Sequence, residues 1–409
     1  MAGIVIKPRA RIYHGHDWVY TSEVMKTWGN PKDGSVISIK DGKDRLLGSG
    51  IYNSKSQIVA RRFSRQKQEL DLDFFRRRIA QAINYRLDRA ASNGGTLPRN
   101  LEVGRLVWSE SDGLPGVIID RYGKCFVLQT LTLAMDQRQD LIVQALQESF
   151  HLLFETVPED ILVVERNDAP IRKAEGLEIR NSVLVGQARQ IGVEIMGLKF
   201  TIDPLQGQKT GFYLDQMEAY AEVAKWAAGK RVLDVFANQG AFGLFSAKAG
   251  AKSVTSVEIS GEAVAQIRAN AERNGLELEA IEQNAFDFLK QAEHLSQNDP
   301  EAKYDLIILD PPSFTKSREK LQDAMRGYKE IHLRALKLLA PGGLLATFSC
   351  SHHVTAEVFR EMIVDSLVDA KKSARLIKTM QQSADHPILL SVPETEYLKG
   401  FLLELAPGR

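Results

Sequence analysis

The chain has 409 residues, 44% hydrophobic and 26% charged, with a formal net charge of +1 and two cysteines. These values exclude a disulfide-stapled scaffold, a disordered polyelectrolyte and a membrane-spanning protein, and they leave room for two or three domains. No charged-then-apolar leader pattern opens the sequence, so a cytoplasmic protein is expected, and no Cys/His spacing suggests a zinc site.

Residues 1–66 carry a net charge of +7 and the remainder −6. A solvated basic face explains that count, and charge alone favours this plainer reading over a polyanion-binding attachment. The runs IVIK, SVISIKD, LLGSGIYN and QIVARRF are short, alternating and closely spaced, which predicts a compact barrel or half-barrel. Arg9, Arg11, Arg61, Arg62 and Arg65 are interleaved with Tyr13, Trp18, Tyr20 and Phe63. That mixture suits phosphate contacts with base stacking, although the same aromatics also serve as a small core.

Residues 71–91 have helical periodicity with Phe74, Phe75, Ile79, Ile83 and Leu87 as the buried stripe, and the Ser92-Asn93-Gly94-Gly95 run reads as a linker. Residues 101–190 predict a second β-rich segment. It has two strands around a Tyr122-Gly123-Lys124 turn, a helix over residues 136–150, and strands near ILVVERN and LEIRNSVLVG. Nothing there has catalytic spacing, and Ser109 to Gly116 reads either as a surface loop that meets a substrate or as a plain connection.

From about residue 198 strands and helices alternate to the C-terminus, the pattern of a doubly wound parallel sheet. Within it, residues 231–258 form a β-α-β unit. An apolar strand breaks into a turn holding Asn238, Gly240 and Gly243, a helix follows, and a second strand ends at Glu258. A glycine turn lets a ligand approach the backbone, and an acid at the second strand's end can accept from a ribose diol. Polar residues also mark other strand ends: Asn284-Ala285-Phe286, Asp310-Pro311-Pro312-Ser313-Phe314 and Ser349-Cys350-Ser351. Ligands bind outside the carboxyl ends of such strands. The two prolines after Asp310 fix the backbone and remove two amide donors. A planar base with an exocyclic amine fits there, with Phe314 available for stacking.

The succession VLDVFANQGAFG, VEIS, NAF and DPPSF resembles class I S-adenosylmethionine-dependent methyltransferases. With KTGFYLDQ, SCSHH and HPILLSVPETEYLKG, it resembles more narrowly the ribosomal RNA large subunit methyltransferase I family. That resemblance implies an α/β chain: an N-terminal PUA-like barrel over residues 1–70, a linker helix and central α+β domain over 71–195, and a Rossmann-like methyltransferase domain over 196–409. It also implies S-adenosylmethionine as cofactor and RNA as partner, either 23S ribosomal RNA or a ribosomal assembly intermediate. No membrane is involved, and a homodimer is left open.

Carried over by position, Asp234, Phe236, Ala237, Asn238, Gly240 and Gly243 lie against the methionine and ribose parts of the cofactor. Glu258 takes the ribose hydroxyls, Asn284, Ala285 and Phe286 flank the adenine, and Gln216 helps close the pocket. Asp310 and Pro311 border cofactor and cytosine. Pro312 and Phe314 of the proline turn, and Arg9, Arg11, Arg61 and Arg62 of the basic module, are candidate RNA contacts on their own chemistry. The family usually has Asp where Asn284 stands, and Arg where Met217 stands.

Methylation at cytosine C5 needs a thiolate added at C6 to make C5 nucleophilic, and an acid to support charge at N3. Cys350 is the expected nucleophile and Asp310 the acid, while Cys125 in KCFVLQT reads as core. His352, His353 and water remain open as base. Two rivals are methylation of a guanine or adenine nitrogen, which needs no cysteine, and a non-catalytic RNA-binding protein. A dehydrogenase is disfavoured because the first turn lacks the G-x-G-x-x-G order.

Overall fold

The structure, a computed structural model, describes residues 2–92, 101–154, 161–297, 299, 302–314 and 320–407. The chain folds into two compact units. One comprises Met1–Met196, Thr201–Leu214 and Ala384–Thr395; the other comprises Gly197–Phe200, Asp215–Ser383 and Glu396–Arg409. No helix among the described residues is long and apolar enough to cross a membrane.

In the first unit, six short strands form one sheet in the order Trp18–Val19, Ala60–Ser64, Leu46–Tyr52, Val36–Lys40, Gly3–Ile6, Val24–Trp28. Ile4, Ile6, Val19, Ile37 and Ile39 fill its core, as the alternating apolar runs require. The helix Leu72–Ser92 buries Phe74, Phe75, Ile79 and Ile83. Leu87 is only half-buried. Its place in the stripe is taken by Arg86, wholly buried, whose guanidinium bonds Asp112 and the Asp385 carbonyl. Asn93, Gly94 and Gly95 of the expected linker lie outside the described residues.

A five-stranded sheet follows in the order Arg180–Val185, Leu162–Asn167, Cys125–Thr130, Val117–Tyr122, Val103–Trp108. Three strands therefore stand where two are expected around Tyr122-Gly123-Lys124. A 3-10 turn at Ser109–Asp112, closed by Gly113 at φ 68°, reverses the chain so that Val103–Trp108 pairs antiparallel with Val117–Tyr122. The helix expected over 136–150 runs instead from Gln139 to Phe154. Asp136 belongs to a separate short turn, where its carboxylate accepts from Thr130 and Arg172.

The second unit is built on a seven-stranded sheet in the order Glu279–Glu282, Ser253–Glu258, Arg231–Val235, Tyr304–Leu309, Leu339–Ser349, Lys399–Leu405, Ala374–Gln381. The first five strands are mutually parallel. Lys399–Leu405 is antiparallel to both its neighbours and inserts between them. Leu233, Val235, Ile307, Leu309 and Leu345 are buried, matching the continuous apolar runs of strands covered on both faces. This is a doubly wound α/β fold.

Candidate active site

Parallel register decides where the site lies. Val235 pairs with both Val257 and Leu309, so the chain leaves three adjacent strands at one level, at Phe236, Glu258 and Asp310. The turn after the first strand folds sharply. Phe236 and Ala237 both donate their N–H groups to the Val257 carbonyl, at 3.0 and 3.1 Å. Phe236 and Asn238 adopt positive φ, 65° and 50°, a conformation that costs non-glycine residues about 1–3 kcal/mol and persists only where the surroundings enforce it. At Gly243, inside the helix Ala241–Lys248, a Cβ would meet Ser256 Oγ at 2.5 Å and Asp234 Oδ2 at 3.2 Å. Its N–H donates to that same Oδ2 at 3.0 Å.

Glu258 is held by backbone donors. Oε2 accepts from Asn238 N at 2.9 Å, and Oε1 from Ile259 N at 2.8 Å and Ser260 N at 3.1 Å. Its carboxylate is thus aimed before any ligand arrives. Asn284 is the N-cap of the helix Ala285–Ser296, its Oδ1 accepting from Phe286 N at 2.9 Å and Asp287 N at 3.4 Å. Capping fixes the side chain, and its carboxamide NH2 is a further donor at the strand end.

Asp234, Glu258 and Asp310 gather negative charge at this edge. Burial pushes Asp234 up to about 7; the Gly243 N–H opposes that shift, while the charges of Asp310 and Glu258 add to it. Gln216 ends the 3-10 turn Leu214–Gln216 and is buried at the start of the helix Met217–Ala224. Met217, where an Arg is usual, is wholly buried core.

On the other side of the first strand, Pro311 is buried, Asp310 half-buried and Pro312 exposed. The ring of Phe314 lies against Tyr328 at 4.6 Å, Phe286 at 6.0 Å and Phe236 at 6.4 Å between centroids. It is a half-buried wedge in an aromatic cluster rather than a freely presented stacking platform. Cys350 follows the strand Leu339–Ser349, next to the strand that ends before Asp310, and is half-buried. Cys125 is core, its thiol pushed up to about 12 by burial. His352 and His353 are exposed. Two neighbours of Cys350 escaped the sequence reading. Tyr328 donates to or accepts from Ser349 Oγ at 3.2 Å, and Lys399 Nζ donates to the Ser351 carbonyl at 2.6 Å. A lysine heading the otherwise apolar KGFLLEL strand was the available signal, because a buried cation needs a partner.

Comparison with known proteins agrees with this architecture. Residues 186–387 match a family model for S-adenosylmethionine-dependent methyltransferases, and residues 4–65 match a PUA-like domain. The ribosomal RNA large subunit methyltransferase I of Klebsiella pneumoniae (strain 342) is 38% identical over 392 residues, covering 94% of this chain and 93% of the relative. That of Shewanella amazonensis is 39% identical, covering 95% and 94%. The chain belongs to the ribosomal RNA large subunit methyltransferase I family. Among solved structures, a protein from Streptococcus mutans described as a SAM-dependent methyltransferase shares the fold at TM-score 0.80 and 23% identity, covering 99% of this chain and 100% of that one. A methyltransferase complexed with SAH does so at TM-score 0.81, with the same identity and coverage.

The cofactor of this family is S-adenosylmethionine, and the residues present fit it. Gln216 Oε1 and Asp234 Oδ1 are buried with no hydrogen-bond partner among the described residues. Buried polar atoms are rarely left so, and two acceptors of this kind suit the ammonium, exocyclic amine and hydroxyl donors of S-adenosylmethionine. The carboxylates suit a ligand with two positive centres, and the missing Cβ of Gly243 lets the helix Ala241–Lys248 pack closely on Ser256 and Asp234.

The N-terminal arginines divide. Arg61 is buried between Glu110 at 3.0 Å and Glu175 at 3.6 Å, and Arg62 is buried against Asp17 at 2.7 Å. Both are corrected from RNA ligands to structural ion pairs, since neither guanidinium is presented to solvent. Glu110, in the stretch expected to be a surface loop, also accepts from Trp18 Nε1 at 2.8 Å. Phe63 is core. Arg9 and Arg11 are exposed, and Arg11 lies over the Tyr20 ring at 4.6 Å.

Proposed function

We propose that this methyltransferase acts on large-subunit ribosomal RNA, 23S rRNA, and forms 5-methylcytidine through a covalent bond between Cys350 and C6 of the target base. The observation that carries this reading is the half-buried Cys350 at a strand end beside the strand that leads into Asp310. S-adenosylmethionine supplies an electrophilic methyl group on a sulfonium. The Cys350 thiolate adds to C6 while Asp310, in its acid form, donates to N3, so that C5 gains enamine character and attacks. Methyl transfer would break the sulfonium C–S bond and leave a neutral thioether. Loss of the C5 proton to water, His352 or His353 then returns the electrons, expels the Cys350 thiolate, gives the N3 proton back to Asp310 and restores the aromatic ring.

In the same reading, Gln216, Asp234, Phe236, Ala237, Asn238, Gly240, Gly243, Glu258, Asn284, Ala285, Phe286 and Pro311 hold the cofactor. Pro312 and Phe314 border the base, and Arg9 and Arg11 meet RNA phosphates. Residues 1–70 capture RNA, 71–195 connect, and 196–409 transfer the methyl group.

The test uses the full-length protein, RNA from a strain lacking it, and mass mapping of the product. The parent is expected to place 5-methylcytidine in 23S rRNA. Cys350→Ala is expected to lose at least ~10³-fold in methyl transfer while binding S-adenosylmethionine unchanged by calorimetry. Full activity in that variant would sink the C5 mechanism and favour methylation of a ring or amino nitrogen. Absence of cofactor binding by the parent would contradict every enzymatic reading.

A further inference from the structure

We propose that Lys399 is a positioning residue whose ammonium holds Cys350 as a thiolate, from a neighbouring strand; the proposal rests on reading Cys350 as the nucleophile. The strand Lys399–Leu405 is paired on both sides, and its register sets Lys399 opposite Ser349, the residue before Cys350. Lys399 Nζ donates to the carbonyl of Ser351, the residue after Cys350, at 2.6 Å. Lys399 thus flanks the cysteine on both sides, by strand register at Ser349 and by its ammonium at Ser351.

Its surroundings leave it short of counter-charge. The side chain is buried, and the remainder of its strand is almost wholly apolar. Among the described residues no carboxylate lies within ion-pair distance of Nζ, and the Ser351 carbonyl satisfies one of three N–H donors. A buried ammonium so placed is costly unless an anion comes near. Burial pushes Lys399 down to about 8, while Cys350 and the exposed Glu396 pull it upward.

Tyr328 and Asp310 add no positive charge beside Cys350. Tyr328, from the helix Leu321–Leu338, is pushed up to about 12 by burial and stays neutral; it senses the negative charges of both Cys350 and Asp310. Asp310, when ionised, disfavours a second anion beside it. His352 and His353 are exposed, and the His352 ring lies 5.8 Å from that of Tyr397. Lys399 therefore supplies the positive charge that a thiolate at Cys350 needs, its ammonium held beside the cysteine by the Ser351 carbonyl. On ionisation the thiol proton passes to solvent, and the ammonium stays charged.

The test is alkylation of the intact full-length protein by iodoacetamide across pH, with the modified peptide identified by mass spectrometry. Cys125 is buried and its thiol pushed up to about 12, so the early signal belongs to Cys350. In the parent the midpoint is expected at least one unit below the ordinary thiol value of about 8.5. Lys399→Met is expected to slow alkylation at pH 7 about tenfold, and Lys399→Arg to keep it within about threefold. A parent midpoint at or above the ordinary value overturns the proposal without any substitution, so it stands or falls even if Lys399→Met does not fold. A Lys399→Met profile that superimposes on the parent's overturns it as well. An inactive Cys350→Ala beside an unshifted alkylation profile removes this proposal alone. A fully active Cys350→Ala removes the nucleophile reading instead.

Discussion

Residues 1–66 and residues 231–258 drew attention for different reasons, and the structure treated them differently. The first stretch was notable for charge, the second for order. Order carried over almost unchanged: the strands Arg231–Val235 and Ser253–Glu258 and the helix between them fall where the apolar runs and glycines put them. Charge did not. Arg61 and Arg62 are spent inside the fold on Glu110, Glu175 and Asp17, so net charge overstates what a polyanion can reach. A strand end is defined by its own neighbours in sequence. The exposure of an arginine depends on carboxylates dozens of residues away.

The largest effect that separates the two regions is expected at Arg61. Removing one partner of a buried pair leaves the other uncompensated, at a cost of roughly 3–5 kcal/mol. Burial opposes ionisation of Glu110, yet the Arg61 charge and hydrogen bonds from Ser109 and Trp18 together keep its carboxyl low. Arg61→Met should therefore cost about that much in denaturant unfolding, and any folded fraction should keep the parent's salt dependence for RNA binding. A stable variant with weakened RNA binding would restore Arg61 to the interface.

Next in size is Gly243→Ala. Helix propensity alone predicts a gain of about 1 kcal/mol, because Gly243 lies inside a helix. The new methyl would instead stand 2.5 Å from Ser256 Oγ, and overpacking of this kind costs about 1–3 kcal/mol. A lower Tm and weaker S-adenosylmethionine binding are expected. Gly243→Ala combined with Ser256→Ala should recover part of both, and failure of that rescue would place the strain elsewhere.

What the sequence made legible follows the same division. The sheet's ligand edge could be read because parallel register brings successive strand ends together whatever the intervening helices do. The insertion of Lys399–Leu405 between Leu339–Ser349 and Ala374–Gln381 could not, since no local pattern states which strand lies beside the last one. Arg86 shows the same limit within a helix. Periodicity marked Leu87 for the core, while the partners that bury Arg86, Asp112 and Asp385, lie 26 and 299 residues away. Asn284 stands just before a helix, and that place in the sequence by itself predicts a cap.

A smaller effect is expected from Asp234. Its folded carboxyl is raised to about 7 from an ordinary 3.8. Its contribution to apo stability is therefore fully present below pH 3.8 and lost as pH rises through about 7. A cationic cofactor favours the ionised form, so S-adenosylmethionine binding should release a proton below pH 7 and tighten by up to about tenfold per unit in that range. Calorimetry in two buffers of different ionisation enthalpy measures the proton count. Asp234→Asn should release none at this site, and an unchanged count would move the titration to another group.

The smallest effects belong to the exposed arginines, where charge still has a claim. Arg9 and Arg11 differ in what already opposes them. Arg11 lies 4.0 Å from Glu394, which also holds His16 at 3.0 Å, and its guanidinium rests on Tyr20. Part of its charge is thus neutralised before RNA arrives, whereas Arg9 projects from an exposed loop. Each phosphate contact on a single strand contributes about 0.7 to the slope of log K against log salt. Arg9→Ala should lower that slope by about 0.7 with little change in sequence preference, and Arg11→Ala should lower it less. Glu394→Gln should act in the opposite direction, because it frees Arg11 for phosphate. Fluorescence anisotropy of a labelled RNA across a salt series resolves all three. If Glu394→Gln leaves the slope unchanged while Arg11→Ala lowers it, the contact between Arg11 and Glu394 carries no electrostatic weight, and exposure alone ranks the two arginines.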